Sequence, residues 1–487
     1  MVGPGKPGLI FVTGTGDDGG VPNHAAGMIP AGGKIELSLL KTSRDKENLG
    51  LDLWYSDQDH IEIALQTPSG RYGPQKHLSI GAGQSITLRD VLNSVFGLEA
   101  GYGAIRIESD SRRLAMISQT STPGGGGTFG QSVPVAALGD RIVFRQPRSI
   151  AGIREDDSFR TNLILTNATD IAVDVDIKLK SSTGSMLAVG RYGLPPSGMT
   201  QVTQVVRQLG IDGDVTNAQL ELSTPTLKGS FVTYASLIDN VTNDPSTLLA
   251  RPTGGSSAEL IWMLPSSARV AGEGGAFYTT DFTVSNTGDR EARYSLKFLG
   301  NNVDGRQGLE KTFVIGPGQS AVHSDLLQSV FEIPSGFGAL QLATNSPALI
   351  VAGQTSTPAE SGGRFGQSVP GFSVGDLIES GFAKSILAVR EDSQFRTNLV
   401  LANATEEGLD VDVSLIADDG STLGSKRYRL PSLGMTQISR VVRDLGISQD
   451  VVSARLLLST PTLKGLFAAY ASAIDNVTND PRTLLPR

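Results

Sequence analysis

Val173-Asp174-Val175-Asp176-Ile177-Lys178-Leu179-Lys180 decides the fold class. Every second residue is aliphatic and each one between carries a charge, which is the period of a strand with one face in a core and the other in water. On a helix the same four aliphatic residues would scatter around the axis and bury nothing as a group. The pattern returns at Leu409-Asp410-Val411-Asp412-Val413-Ser414-Leu415, again with one apolar and one polar face. Both stretches are read as half-buried antiparallel strands.

The return of this pattern belongs to a larger duplication. Residues 154–251 match 390–487 without a gap at a shift of 236, with about 60 of 98 positions identical. Upstream, Ile80-Gly81-Ala82-Gly83-Gln84-Ser85 returns as Ile315-Gly316-Pro317-Gly318-Gln319-Ser320, and Phe129-Gly130-Gln131-Ser132-Val133-Pro134 returns as Phe365-Gly366-Gln367-Ser368-Val369-Pro370. The duplicated unit is therefore a pair, and within each pair both halves share a plan of strand, glycine turn, short apolar helical turn and further strands. The chain reads as four modules in B-A-B-A order: 1–136 (an N-terminal segment plus a B module), 140–251 (A), 258–371 (B) and 376–487 (A), a spacing that suits β-sandwich domains. The first half of the first B module does not resemble its later copy. Val202, Val205, Val206 and Leu209, with Ile438, Val441, Val442 and Leu445, follow helical spacing, so a helical turn or two is expected in each A module. Leu194-Pro195-Pro196-Ser197-Gly198 and Leu430-Pro431-Ser432-Leu433-Gly434 read as turns. Short strands, frequent turn signals and no long helices give an all-β chain of four tandem immunoglobulin-like sandwiches.

Composition narrows the function. The 487 residues include no Cys, which removes thiol nucleophiles, disulfides and Cys-based zinc sites. A net charge of −8 without a basic stripe argues against a nucleic-acid partner. No apolar run is long enough to span a membrane, and the opening Met1-Val2-Gly3-Pro4-Gly5-Lys6-Pro7 carries no secretion signal.

Four motifs remain. Gly14-Thr15-Gly16-Asp17-Asp18-Gly19 fits G-x-G-x-x-G after an apolar run, but no helix opens behind it and its aspartates would repel phosphate, so it is read as a turn. Asp239-Asn240-Val241-Thr242-Asn243-Asp244-Pro245 and its copy Asp475 to Pro481 gather oxygen side chains; Asp239, Asn243, Asp244, Asp475, Asn479 and Asp480 are the calcium candidates, against the plainer reading of a turn. Asn167-Ala168-Thr169 and Asn240-Val241-Thr242 fit a glycosylation sequon. Ser223-Thr224-Pro225-Thr226-Leu227-Lys228-Gly229, identical at 459–465, suggests a contact surface, with Arg160, Lys228, Arg396 and Lys464 as members because charge should keep them exposed. The four histidines, His24, His60, His77 and His323, show no ligand spacing and are read as isolated surface residues.

Phe277-Tyr278-Thr279-Thr280-Asp281-Phe282-Thr283-Val284-Ser285-Asn286, Gly318-Gln319-Ser320 and the closing Phe365 to Pro370 resemble tandem Ig-like repeats of large secreted bacterial proteins. Phe159-Arg160-Thr161-Asn162-Leu163 and Tyr234-Ala235-Ser236 with Ile238-Asp239-Asn240 resemble the companion repeat. The resemblance covers most of 81–487 and implies an extracellular or cell-surface setting without defined chemistry. Residues 1–75, through Phe11-Val12, Thr15 to Gly19, Leu53-Trp54-Tyr55 and Pro68-Ser69-Gly70, resemble a late segment of subtilisin-like proteases. That likeness stops short of chemistry: Asp17 stands where the family places its oxyanion Asn, and the nucleophile, Asp and His segments are absent. The expectation is a non-enzymatic, secreted structural or adhesive array, joined by short linkers into a semi-rigid rod and partnered by protein or by itself. The alternatives are a filament subunit assembled by β-strand augmentation and an accessory binding region of a secreted protease.

Overall fold

The computed structural model describes residues 9–13, 27–29, 33–41, 49–55, 59–109, 114–133, 135–136, 138–254 and 260–487. Gly14 to Gly19 and His24 lie outside the described residues. The fold is all-β: antiparallel sheets in sandwich-like layers, with α-helix among the described residues confined to the single turns Val91–Ser94, Val205–Gln208, Leu326–Ser329 and Val441–Asp444. The helical spacing at 202–209 and 438–445 therefore yields one turn in each copy, with Val205, Val206, Val441 and Val442 fully buried beneath it.

Described strands pair into sheets only within four stretches of chain, Leu9 to Val133, Ile142 to Pro252, Ile261 to Ser373 and Ile378 to Leu484. In the second stretch one sheet holds Ile142–Val143, Ser230–Asp239, Phe159–Asn167 and Met199–Val202, with Pro245–Leu249 also on Ser230–Asp239. The facing sheet runs Met186–Leu194, Val173–Ser181, Val215–Ser223, Arg148–Glu155 and Arg251–Pro252. The fourth stretch repeats this order, apart from the short last strand. Val173, Val175, Ile177 and Leu179 are at most 1% exposed, so the alternation that opened the sequence reading does face the core. On the outer face Asp176 pairs with Arg191, while Lys178 and Lys180 share Glu221.

Two local departures have identifiable causes. In the third stretch Ile261–Ala271 pairs with both Gly336–Thr344 and Phe277–Asn286, joining two layers into one bent sheet; the register slips between Leu264 and Ser267, where Pro265 lacks an N–H for the ladder. In the first stretch Leu9–Thr13 runs parallel to Gly33–Lys41, unlike the antiparallel pairs elsewhere in the described sheets.

The four stretches do not extend as a rod. Ser85 N–H donates to the Asp418 carbonyl at 2.8 Å and Arg455 Nη2 to the Gly83 carbonyl at 3.0 Å, so the first stretch lies against the last. The second and third make the matching contacts: Ser320 N–H donates to the Ser182 carbonyl at 2.9 Å and Gln219 Nε2 to the Gly318 carbonyl at 2.6 Å. Arg106 pairs with Asp170 between first and second at 3.2 Å, and Asn302 N–H donates to the Met435 carbonyl between third and fourth at 2.7 Å. Each stretch thus touches two others and the chain closes into a ring with an approximate two-fold relation. Apolar packing crosses the seams as well. Tyr234 and Met199 join the core of the first stretch, as their copies Tyr470 and Met435 join that of the third.

Candidate functional site

The candidate site is the centre of the ring, where Gly127–Val133, Pro245–Leu249, Arg364–Pro370 and Pro481–Leu484 meet. It is built on the two acidic loops. After Ser230–Asp239 ends, Asp239 Oδ1 accepts from Val241 N–H and Thr242 N–H, both at 2.9 Å, which turns the chain. Pro245 then restarts an extended strand. From the neighbouring strand Arg160 reaches into the loop, donating from Nη1 to Asn240 Oδ1 at 2.9 Å and from Nη2 to Asn243 Oδ1 at 3.0 Å. In the copy Arg396 donates to Asn476 and Asn479 at 3.0 and 2.9 Å.

The loops so held present their remaining carboxylate oxygens to a hairpin of another stretch. Asp239 Oδ2 accepts from Arg364 N–H at 3.0 Å and Asp244 Oδ2 from Gly366 N–H at 2.7 Å. Asp475 Oδ2 accepts from Thr128 N–H at 2.9 Å and Asp480 Oδ2 from Gly130 N–H at 2.8 Å. The spacing of the two aspartates matches alternate amides of one strand edge, groups that would otherwise be open to another strand. Close approach requires glycine nearby: a Cβ on Gly127 would lie 2.4 Å from Asp475 Oδ1, and one on Gly363 at the same distance from Asp239 Oδ1. Each hairpin is gripped from its other side too. Gln131 donates to Ser236 Oγ at 2.9 Å and accepts from Thr247 Oγ1 at 2.7 Å, while Gln367 accepts from Thr483 Oγ1 at 2.9 Å. The rings of Phe129 and Phe365 meet with centroids 6.0 Å apart.

Asp244 and Asp480 occupy equivalent places in this centre and are 4% and 0% exposed. The Oδ1 atom of each has no hydrogen-bond partner. Burial, then the charge of Asp480, raises the Asp244 pKa well above the ordinary carboxylate range. Asp480 is pushed up to about 7, chiefly by burial, with Asp475 adding to the rise and Arg482 and the Gly130 amide opposing it. The acidic loops and the strands that follow them differ at one position: Arg482, 3.4 Å from Asp480 Oδ2 and stacked over Phe395, stands where the first copy has Ser246, which accepts from Gln354. These carboxylates are buried and bonded to backbone amides of another stretch, so the arrangement ties one part of the chain to another.

The loop residues singled out from sequence thus meet at one place, where most of their oxygens accept from N–H and O–H donors and the guanidinium groups of Arg160, Arg396 and Arg482 lie beside them. The proposed contact surface is corrected. Arg160 and Arg396 are 9% and 4% exposed, held inside the loops, whereas Lys228 and Lys464 stay exposed. Arg160 lies beside Ile238 at one end of Ser230–Asp239 and Lys228 precedes the other end, so the four residues form no single patch. Asn167 is fully buried and donates to the Ile171 and Pro195 carbonyls, which removes it as an accessible sequon. His323 is also not an isolated surface residue: its Nε2 lies 2.9 Å from Tyr294 Oη, its ring packs 4.6 Å from Phe313, and burial lowers its pKa. The Phe-Gly-Gln-Ser hairpins received no role from sequence, although their identity in both copies was the available signal.

No protein-family model matches the chain, and no curated protein matches it. Among solved structures, the chain aligns with the native conformation of E. coli alpha-2-macroglobulin at 10% identity, over 88% of this chain and 28% of that one. The TM-score is 0.12, which carries no argument.

Proposed function

We propose that the chain is a non-enzymatic, secreted structural or adhesive body of four immunoglobulin-like sandwich modules in B-A-B-A order, working outside the cell with protein partners or with itself. The observation that carries this reading is the reciprocal lock, in which Asp239 and Asp244 hold one hairpin and Asp475 and Asp480 hold the other. The most distinctive buried polar groups serve to fix the modules against each other, as a load-transmitting block requires. The resemblance to tandem repeats of large secreted bacterial proteins supports the setting. The test has two arms. Small-angle scattering at low concentration should give a radius of gyration of about 23 Å, the value for a compact chain of this length. A fluorophosphonate should label no serine. A much larger radius, or stoichiometric labelling of one serine, would overturn the reading.

The filament alternative has one observation in its favour. Met186–Leu194, Glu310–Ile315 and Thr422–Leu430 are sheet edges with no strand paired on their outer side among the described residues.

A further inference from the structure

The duplication supplies its own control for one of these edges. Met186–Leu194 and Thr422–Leu430 occupy the same place in the second and fourth stretches, each paired, among the described residues, on its inner side only. Edges are protected against pairing with other chains by charge, above all by Lys and Arg. Thr422–Leu430 is protected in this way, with Lys426, Arg427 and Arg429 all exposed. At the matching positions Met186–Leu194 has Gly190, Arg191 and Gly193, a single cation in place of three. The unguarded edge is also apolar: Met186 is 50% exposed, Leu187 37% and Val189 67%. From Ala188 to Leu194 its backbone is in continuous register with Val173–Leu179 on the inner side, after a bulge at Leu187, so over that run the outer amides and carbonyls are set at strand spacing.

We infer that Met186–Leu194 is a self-association edge, which pairs antiparallel with the same strand of a second copy about a two-fold axis at Gly190. The strand is self-complementary in that register. Ala188 falls opposite Tyr192, so a small side chain meets a bulky one, and Leu187, at the bulge, approaches Gly193. Val189 falls opposite the aliphatic stem of Arg191, and Gly190 meets itself with no side chain to clash. An unrelated peptide would have no reason to satisfy all of these rungs. The same operation on the guarded copy would set Lys426 directly against Lys426 and Ser425 against Arg427, a repulsive arrangement that keeps this mode to one edge per chain. One edge per chain and a two-fold axis give a closed dimer, with the sheet running continuously through both copies, and no filament grows by this contact. The inference is independent of the proposed function, because the ring can be compact in a monomer or a dimer.

Sedimentation equilibrium on the full chain tests it. The wild type should show a reversible monomer–dimer equilibrium. Val189→Lys should weaken the dimer at least tenfold, and so should Gly193→Arg, which installs the residue of the guarded copy. Both positions are exposed and a Cβ on Gly193 would make only an ordinary contact, 3.8 Å from Asp174 Oδ1, so the circular dichroism spectrum should not change. Ser425→Lys in the guarded copy should leave the equilibrium as it was. A wild type that stays monomeric into the high micromolar range, or a dimer that both edge variants leave intact, would overturn the inference.

Discussion

Replacing Asp480 by Asn should remove a pH dependence that the ring centre imposes on the whole molecule. Asp480 has a folded pKa of about 7 against an unfolded value near 3.9, so between those pH values the folded chain binds the extra proton and the unfolded chain does not. The contribution of this group to stability is therefore fully present below about pH 4, falls as pH rises across this window and is gone above about pH 7. Three pKa units correspond to about 4 kcal/mol. The groups facing the pair are Asp239 and Arg482 for Asp244, and Arg482 and Asp475 for Asp480, with the Gly366 and Gly130 amides donating to them. The substituted side chain keeps a carbonyl oxygen for the Gly130 amide and stays neutral at every pH, so it mimics the protonated acid. Hydrogen exchange at the Gly130 and Gly366 amides reads the junction itself, once corrected for intrinsic rates. The wild type should lose protection between pH 5 and pH 8. Asp480→Asn should lose less of it, ending more protected at Gly130 at pH 8 by about 2 to 4 kcal/mol of opening free energy, while Asp244, raised first by burial, keeps a residual dependence at Gly366. Other carboxylates with displaced pKa values, such as Glu155 and Glu391 raised and Glu221 lowered, contribute equally to both proteins and cancel in the comparison. Parallel pH profiles for the two proteins, or protection that rises with pH in the wild type, would refute the reasoning.

Val175→Asp should cost several kcal/mol by placing an unpaired carboxylate in a fully buried position, whereas Asp176→Ala removes only a surface pair with Arg191 and should change stability by no more than about 0.5 kcal/mol; thermal melts compare them. Ala388 has φ +59° at the bulge where the first copy has Gly152 at φ +78°, so Ala388→Gly should stabilise the fourth stretch by about 0.5 to 1 kcal/mol, read as a shift in its urea midpoint.

The alternation at 173–180 and at 409–415 was enough to assign strands, buried faces and an all-β chain, because side-chain direction in a strand has a period of two and is decided by neighbours in sequence. The helical turns at 205–208 and 441–444 were legible for the same reason. The six loop residues from Asp239 to Asp480 were legible as a cluster of oxygen atoms, since Asx turns are also local. Their partners were not. Asp239 meets an amide 125 residues away and Asp475 one 347 residues away, and no local period encodes which hairpin a loop will find. The exposure that charge alone predicts for Arg160 and Arg396 does not hold, because the asparagines of their own loops supply acceptors that make burial tolerable. Strands, their inward faces, turns and the duplication are all readable from the order of residues, because they follow from short-range sterics and hydrophobic pattern. Only the tertiary structure decided that the first stretch folds back onto the last, that two aspartates meet at the centre of the ring and that one duplicated edge is left unguarded, because these depend on contacts between residues far apart in the chain.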